Sequence, residues 1–275
     1  MKLYVYGQEG WEEGRRLRQF LELRRNQWDV VSFVGGGGKT TSIYYLAQEL
    51  ARDTTEGDCP KVLVTTTTKM HLPERGCLLF SPTVAQAERV FSCYPWITAG
   101  TFCGSKLGSL TESELNALIE TAQITLVEAD GSKGLPCKAP APHEPVLIDR
   151  TTKVVAMAGL GCLGRPIDEV CHRPELAAEL LDVSAQEVMT PEYLARLLCD
   201  EQGQKKAVTS NQEFYVLLNQ ADDEARLEAG RQTAAFLRKA GVRRIAAACY
   251  GIEEQFDRNR ERTGQRAESD RGETR

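Results

Sequence analysis

One stretch limits what this chain can fold into more than any other: "VVSFVGGGGKTT", residues 30–41. A short β-branched run is followed by four glycines, a lysine and two threonines. The run reads as a buried strand, and "TTSIYYLAQELAR" behind it reads as a helix. Glycine allows positive φ, so a glycine loop between strand and helix can turn backbone N–H groups toward an anion. The helix start adds its own unsatisfied N–H groups and the positive end of its dipole. In such a loop Gly35, Gly36, Gly37 and Gly38 form the cradle, with Lys39 on the terminal phosphates. The Thr40 hydroxyl is then a ligand for Mg²⁺, with Thr41 beside it.

The rest of the chain repeats the strand–helix alternation. Strands are expected at 29–34, 61–68, 77–81, 124–130, 153–161, 213–219 and 242–250. Helices are expected at 12–25 on the surface, after the glycine loop, at 83–91, 112–122, two or three within 173–202, and after Asp222. Alternation of this kind builds a mostly parallel sheet covered on both faces. The predicted fold class is therefore α/β, a three-layer sandwich like that of P-loop NTPases, over residues 1–252 as one nucleotide-binding domain. From 253 to 275 the chain is charged and almost free of aliphatic residues, which predicts a disordered tail.

Composition narrows the function. With 41% apolar and 27% charged residues the chain has enough for a sizeable core. A net charge of −5 argues against a nucleic-acid binder. No apolar run reaches the roughly 18 residues of a membrane span, and the start lacks a signal-peptide core. A cytoplasmic protein with neither nucleic-acid nor membrane partners is expected. The nine cysteines are odd in number with no CxxC pair, which predicts reduced, mostly buried thiols.

A nucleotide site makes further demands. A strand-end carboxylate must hold Mg²⁺ through water, and "ITLVEAD" offers Glu128 and Asp130, which share one face of a strand. Asp130 is the expected metal-side group and Glu128 the group that orients water; with Lys39 they form the expected catalytic set. "VTTTTKM" ends another strand, and ligands sit at the carboxyl ends of parallel strands. This brings Thr66, Thr67 and Lys69 into consideration. "LLNQAD" places Asn219 and Asp222 at the NxxD spacing that reads guanine in GTPases, with Gln220 where that motif has lysine. Helix capping explains the same spacing.

The loop departs from GxxxxGK[ST], since Phe33 stands where the first glycine belongs. It fits a shorter GxxGKTT form that resembles Mur-type ligases and the dimeric nucleotide-switch ATPases, although Val34 replaces the second lysine of the latter. Taken together, "SFVGGGGKTT", "KVLVTTTTKM", "VEADGSKGLPCKAPAPHEP", "AGLGCLGRPIDEVCHRPE" and "VLLNQAD" resemble the YqeC family, motif by motif and in the same order, over roughly residues 28–250. The resemblance implies a P-loop nucleotide-binding accessory protein for the maturation of selenium-dependent molybdenum hydroxylases, using Mg²⁺ with ATP or GTP. It also brings in Lys138, His143 and Glu144, then His172 and Arg173. Cys137 stands where an aliphatic residue is expected and Lys133 where arginine is usual.

All three histidines, His71, His143 and His172, fall in or beside these motifs, and a metal site would need them to converge. The "GSKGLPCKAP" loop has the position of a switch segment, although its prolines also suit a rigid strap. Three functions stay open at this level: an NTPase that serves hydroxylase maturation, a Mur-ligase-like or kinase-type enzyme on a small substrate, and a switch or carrier module that binds nucleotide without turnover.

Overall fold

A computed structural model of the chain describes residues 1–14, 16–24, 27–52 and 59–251. The expected tail at 253–275 lies outside the described residues. The strands are β1 (Lys2–Tyr6), β2 (Trp11–Glu13), β3 (Asp29–Gly35), β4 (Val62–Thr66), β5 (Lys69–His71), β6 (Cys77–Phe80), β7 (Trp96–Cys103), β8 (Lys106–Gly108), β9 (Ile124–Glu128), β10 (Cys137–Lys138), β11 (Lys153–Gly159), β12 (Cys171–His172), β13 (Glu213–Asn219) and β14 (Arg244–Cys249). The helices are α1 (Leu17–Phe20), α2 (Lys39–Arg52), α3 (Val84–Phe91), α4 (Glu112–Ile119), α5 (Ile167–Val170), α6 (Pro174–Leu181), α7 (Pro191–Cys199) and α8 (Glu224–Lys239).

The main sheet runs β2-β1-β14-β13-β11-β3-β9-β4-β7-β8-β5, with β6 also on β7. From β14 to β7, and on to β6, every pairing is parallel. The two ends are antiparallel: β1 lies against β14, and the last residues of β7 form a three-stranded flap with β8 and β5. The chain is therefore an α/β protein with a mostly parallel sheet. β3 sits in the middle, flanked by β9 and β11, and is buried along its whole length. A strand covered on both faces has no polar side to show, which is why "DVVSFV" reads as a continuous run.

Alternate residues of β3 feed opposite layers. Val31 and Phe33 pack with Ile43, Leu46 and Leu50 of α2. Val30 packs with Leu115 and Leu118 of α4, and Val34 with Leu194 and Leu198 of α7. Several helices start where the sequence supplies a cap. Thr83 and Thr111 form capping boxes with Gln86 and Glu114, and the Asp223 carboxylate accepts from the Arg226 N–H at the start of α8.

Three expectations change. Among the described residues of 12–25 there is no long surface helix: β2 and the short α1 stand there instead, and Leu17, Phe20 and Leu21 are buried. Gly14, at φ +107, breaks any helix through this region. Residues 96–108, unassigned from sequence, form β7 and β8 and create the flap. All nine cysteines are free thiols, yet only Cys137, Cys162 and Cys171 are buried, while Cys93 is exposed.

Candidate functional site

The glycine loop lies at the carboxyl edge of the sheet, where β3 stops and α2 begins. It is held by two backbone neighbours. Gly36 N–H donates to the Met157 carbonyl (2.9 Å) and Gly37 N–H to the Leu135 carbonyl (3.1 Å). These two amides are spent on the protein and do not face an anion, which narrows the cradle expected from four glycines. The causes are β11, which carries Met157, and the strap at 131–138, which carries Leu135. Gly37 has φ +74, and a Cβ there would come within 2.1 Å of Gly159 N. Among the described residues, the N–H groups of Gly38, Lys39 and Thr40 have no protein acceptor. They are the start of α2, where such groups await a ligand or water.

Beneath the loop is a buried ionic network. Asp130 accepts from Gly35 N–H (2.9 and 3.1 Å to its two oxygens). Its oxygens also meet Lys39 Nζ at 3.0 Å and Lys138 Nζ at 3.0 Å. Lys39 further donates to the Gly35 carbonyl. Lys138, with a side chain 0% exposed, reaches Glu144 at 2.8 Å and the Gly131 carbonyl at 2.7 Å. Arg173 closes the chain by gripping both Glu144 oxygens (2.6 and 3.3 Å). Burial alone would raise the Glu144 carboxyl; hydrogen bonds from Lys138, the Ala141 N–H and Arg173, with the Lys138 charge, bring it down to about 2. His172 Nδ1 sits 3.2 Å from the Gly131 carbonyl, and its pKa is lowered by burial and by Arg173 and Lys138.

Glu128 occupies a different place. Its carboxylate accepts from the Thr40 hydroxyl at 2.6 Å, and its backbone carbonyl accepts from the Thr66 hydroxyl. Burial pushes its pKa up; the Lys39 charge and the Thr40 hydrogen bond pull the other way. Glu128, Thr40, Thr41, Gly37, Gly38 and Lys39 all line one cleft.

The residues named from sequence therefore separate into groups. Asp130, expected on the metal side, has 0% exposure and is saturated by two lysines and a backbone amide. It is Glu128 that adjoins Thr40. The register explains the exchange: Phe33 pairs with Glu128, so β9 ends level with the loop, and Asp130 lies beyond it, tucked under Gly35. Thr66 and Thr67 spend their hydroxyls on the Glu128 and Val146 carbonyls. Lys69 lines the cleft.

Asn219 donates to the Gly37 carbonyl at 2.6 Å and braces the loop, while Asp222 pairs with Arg226 on α8. Lys138, Glu144, His172 and Arg173 lie in or beside the buried network, and His143 is exposed. The three histidines do not converge, and among the described residues no group of three or more His, Cys, Asp or Glu is placed to hold a metal ion.

Sequence reasoning missed two features. One is the flap, whose Lys106 and His71 line the cleft. The other is a cluster of three buried thiols: Cys137 donates to the Val170 carbonyl (3.3 Å), and its neighbours Cys162 and Cys171 together with burial raise its pKa. The Cys137–Cys171 register of the two-residue strands β10 and β12 brings two of them together, and no local spacing could have shown it.

A parallel sheet whose central strand passes through a glycine loop into a helix, with a lysine and two hydroxyls at the helix start, defines an α/β protein with a glycine loop at the carboxyl edge of its sheet. Known proteins place it more closely. The family model described as YqeC protein matches residues 31–175. The protein named "Uncharacterized protein YqeC" of Escherichia coli (strain K12) is 30% identical over 190 residues, 65% of this chain and 71% of that protein. The chain belongs to the YqeC family. Among the described residues no helix is long and apolar enough to cross a membrane.

Proposed function

We propose that this protein binds the triphosphate of a Mg²⁺-nucleotide, ATP or GTP, at the Gly38–Thr41 end of the loop and hydrolyses it. The observation that carries the reading is the row of acceptor-less N–H groups at Gly38, Lys39 and Thr40, opening on a cleft beside Lys39. Lys39 neutralises phosphate charge, and Asn219 holds the loop in shape through the Gly37 carbonyl.

The Thr40 hydroxyl and the Glu128 carboxylate, 2.6 Å apart, are the oxygen pair that fits Mg²⁺. Glu128 is buried, and the remaining cost of its charge is what a cation would relieve. Bound there, Mg²⁺ would stabilise charge on the transferring phosphoryl group. Asp130 takes the supporting role, fixing Lys39 and Gly35 from below. Positioning and charge stabilisation supply most of the catalysis in reactions of this class. The cellular role that goes with this reading, maturation of selenium-dependent molybdenum hydroxylases, is supported by the family resemblance alone.

The test is calorimetric titration with Mg·ATP and Mg·GTP of the wild type, Lys39→Ala and Glu128→Gln, with phosphate release followed in parallel. One nucleotide is expected to bind the wild type, Lys39→Ala to lose it, and Glu128→Gln to lose turnover. Absence of binding to the wild type at millimolar nucleotide would refute the reading. Tight binding without any turnover would leave a switch, not an NTPase.

A further inference from the structure

We propose that the flap wall of the cleft is a binding site for a second substrate, a small anion carrying phosphate or carboxylate groups, held beside the terminal phosphate of the nucleotide. The inference rests on the nucleotide reading above and names what that site acts with.

The flap builds a cationic face by strand geometry. Lys69 and His71 are two residues apart on β5, both exposed, with Met70 buried between them. Side chains two apart share a face. The antiparallel register sets Lys106 of β8 opposite His71. Lys69, His71 and Lys106 all line the cleft that contains Gly38 and Thr40. The Tyr44 hydroxyl of α2 donates to the His71 carbonyl (3.2 Å), which ties the flap to the helix that starts at the glycine loop.

The charge there is unbalanced. Seven residues lining the cleft are lysine or arginine and three are glutamate, although the whole chain carries −5. Among the described residues, the side chains of Lys69, Lys106 and Lys133 make no hydrogen bond or ion pair. Like charges gathered in a concave, low-dielectric wall concentrate anions. The Lys106 charge also reaches the Glu128 carboxylate, so the cationic wall adjoins the Thr40–Glu128 pair.

Size and position agree. The cleft has a volume of about 1310 Å³, above the roughly 300–1,000 Å³ of an ordinary small-molecule pocket. One nucleotide leaves room. In the sheet, β13 with Asn219 lies on one side of β3, and β9, β4, β7 and the flap lie on the other. A triphosphate whose terminal end is at Thr40 and Glu128 therefore presents that end to the flap.

The experiment titrates inorganic phosphate and, separately, succinate into protein already saturated with a Mg²⁺ complex of a non-hydrolysable ATP or GTP analogue, at low salt. The comparison is Lys69→Ala/Lys106→Ala, at one exposed and one half-buried position, with its fold checked against the wild type by circular dichroism. At least one anion is expected to bind, and its affinity to fall about tenfold or more in the double variant. Analogue affinity should stay within about twofold. Binding of phosphate alone would name a phosphorylated substrate, and of succinate alone a carboxylate. No binding of either at about 10 mM, or equal binding by the variant, would overturn the proposal.

If the analogue itself does not bind, the same titration is run without it. Loss in the Lys69→Ala/Lys106→Ala variant but not in Lys39→Ala would keep the anion site while the nucleotide reading fails. Loss in Lys39→Ala alone would overturn the anion site.

Discussion

Replacing Asp130 with asparagine keeps the shape of the side chain and an acceptor for Gly35 N–H, and removes one negative charge from the network under the loop. That network holds two carboxylates, Asp130 and Glu144, against three cations, Lys39, Lys138 and Arg173. The variant leaves one carboxylate against three cations, with the Lys39 and Lys138 side chains only 3% and 0% exposed. At 3.0 Å and an effective dielectric of about 20, each lost attraction is roughly 5 kcal/mol before desolvation is counted. Breaking a buried pair costs a net of about 3–5 kcal/mol. An independent ceiling comes from the lysines. One can shed its proton, which at pH 7 costs about 4–5 kcal/mol from an ordinary value near 10.4.

Urea unfolding of Asp130→Asn should therefore show a loss of about 3–5 kcal/mol. The deficit should shrink as pH rises from about 7 to 10, because deprotonating the stranded lysine becomes cheaper. A loss below about 1 kcal/mol would refute the reasoning. Retained stability with selective loss of Mg²⁺-dependent nucleotide binding would return Asp130 to the metal-side role that its place in the sequence suggests.

Other perturbations test other parts. The folded value of Glu144 is depressed, so its stabilisation is complete above the ordinary 4.5 and is lost as pH falls from there toward about 2. Unfolding of the wild type should therefore steepen with acid across that window, while Glu144→Gln, weaker near neutrality, responds less. Gly37→Ala should destabilise far more than Gly104→Ala. Both sites have positive φ, but only at Gly37 does the new Cβ meet backbone, at 2.1 Å; strain alone costs about 1–3 kcal/mol. Thermal unfolding of the two variants measures the difference, and equal losses would refute the close packing of loop on β11. Alkylation at mildly basic pH followed by mass spectrometry should label exposed Cys93 quickly and leave Cys137, Cys162 and Cys171 unmodified until the protein unfolds. Early labelling of that trio would contradict their burial.

The sequence by itself determined the α/β class, the parallel core and the location of the glycine loop between strand and helix. These follow from local rules: the β-branched run of β3, the capped amphipathic helices, and glycines standing between a strand and a lysine. It also held every member of the ionic network in its motifs, as Lys39, Asp130, Lys138, Glu144 and Arg173. What it could not do was assign them places. Whether Glu128 or Asp130 stands beside Thr40 depends on where β9 stops against β3, which is a matter of inter-strand register.

The same limit hid the flap. Its face depends on β5 reaching across 30 and more residues to pair with β8 of the β7–β8 hairpin, and on Tyr44 pinning the result to α2. The thiol trio likewise needs β10 to meet β12. Local periodicity records which residues a strand or helix buries. Only tertiary packing decides which charges meet, because a buried carboxylate is stable only where folding brings cations to it.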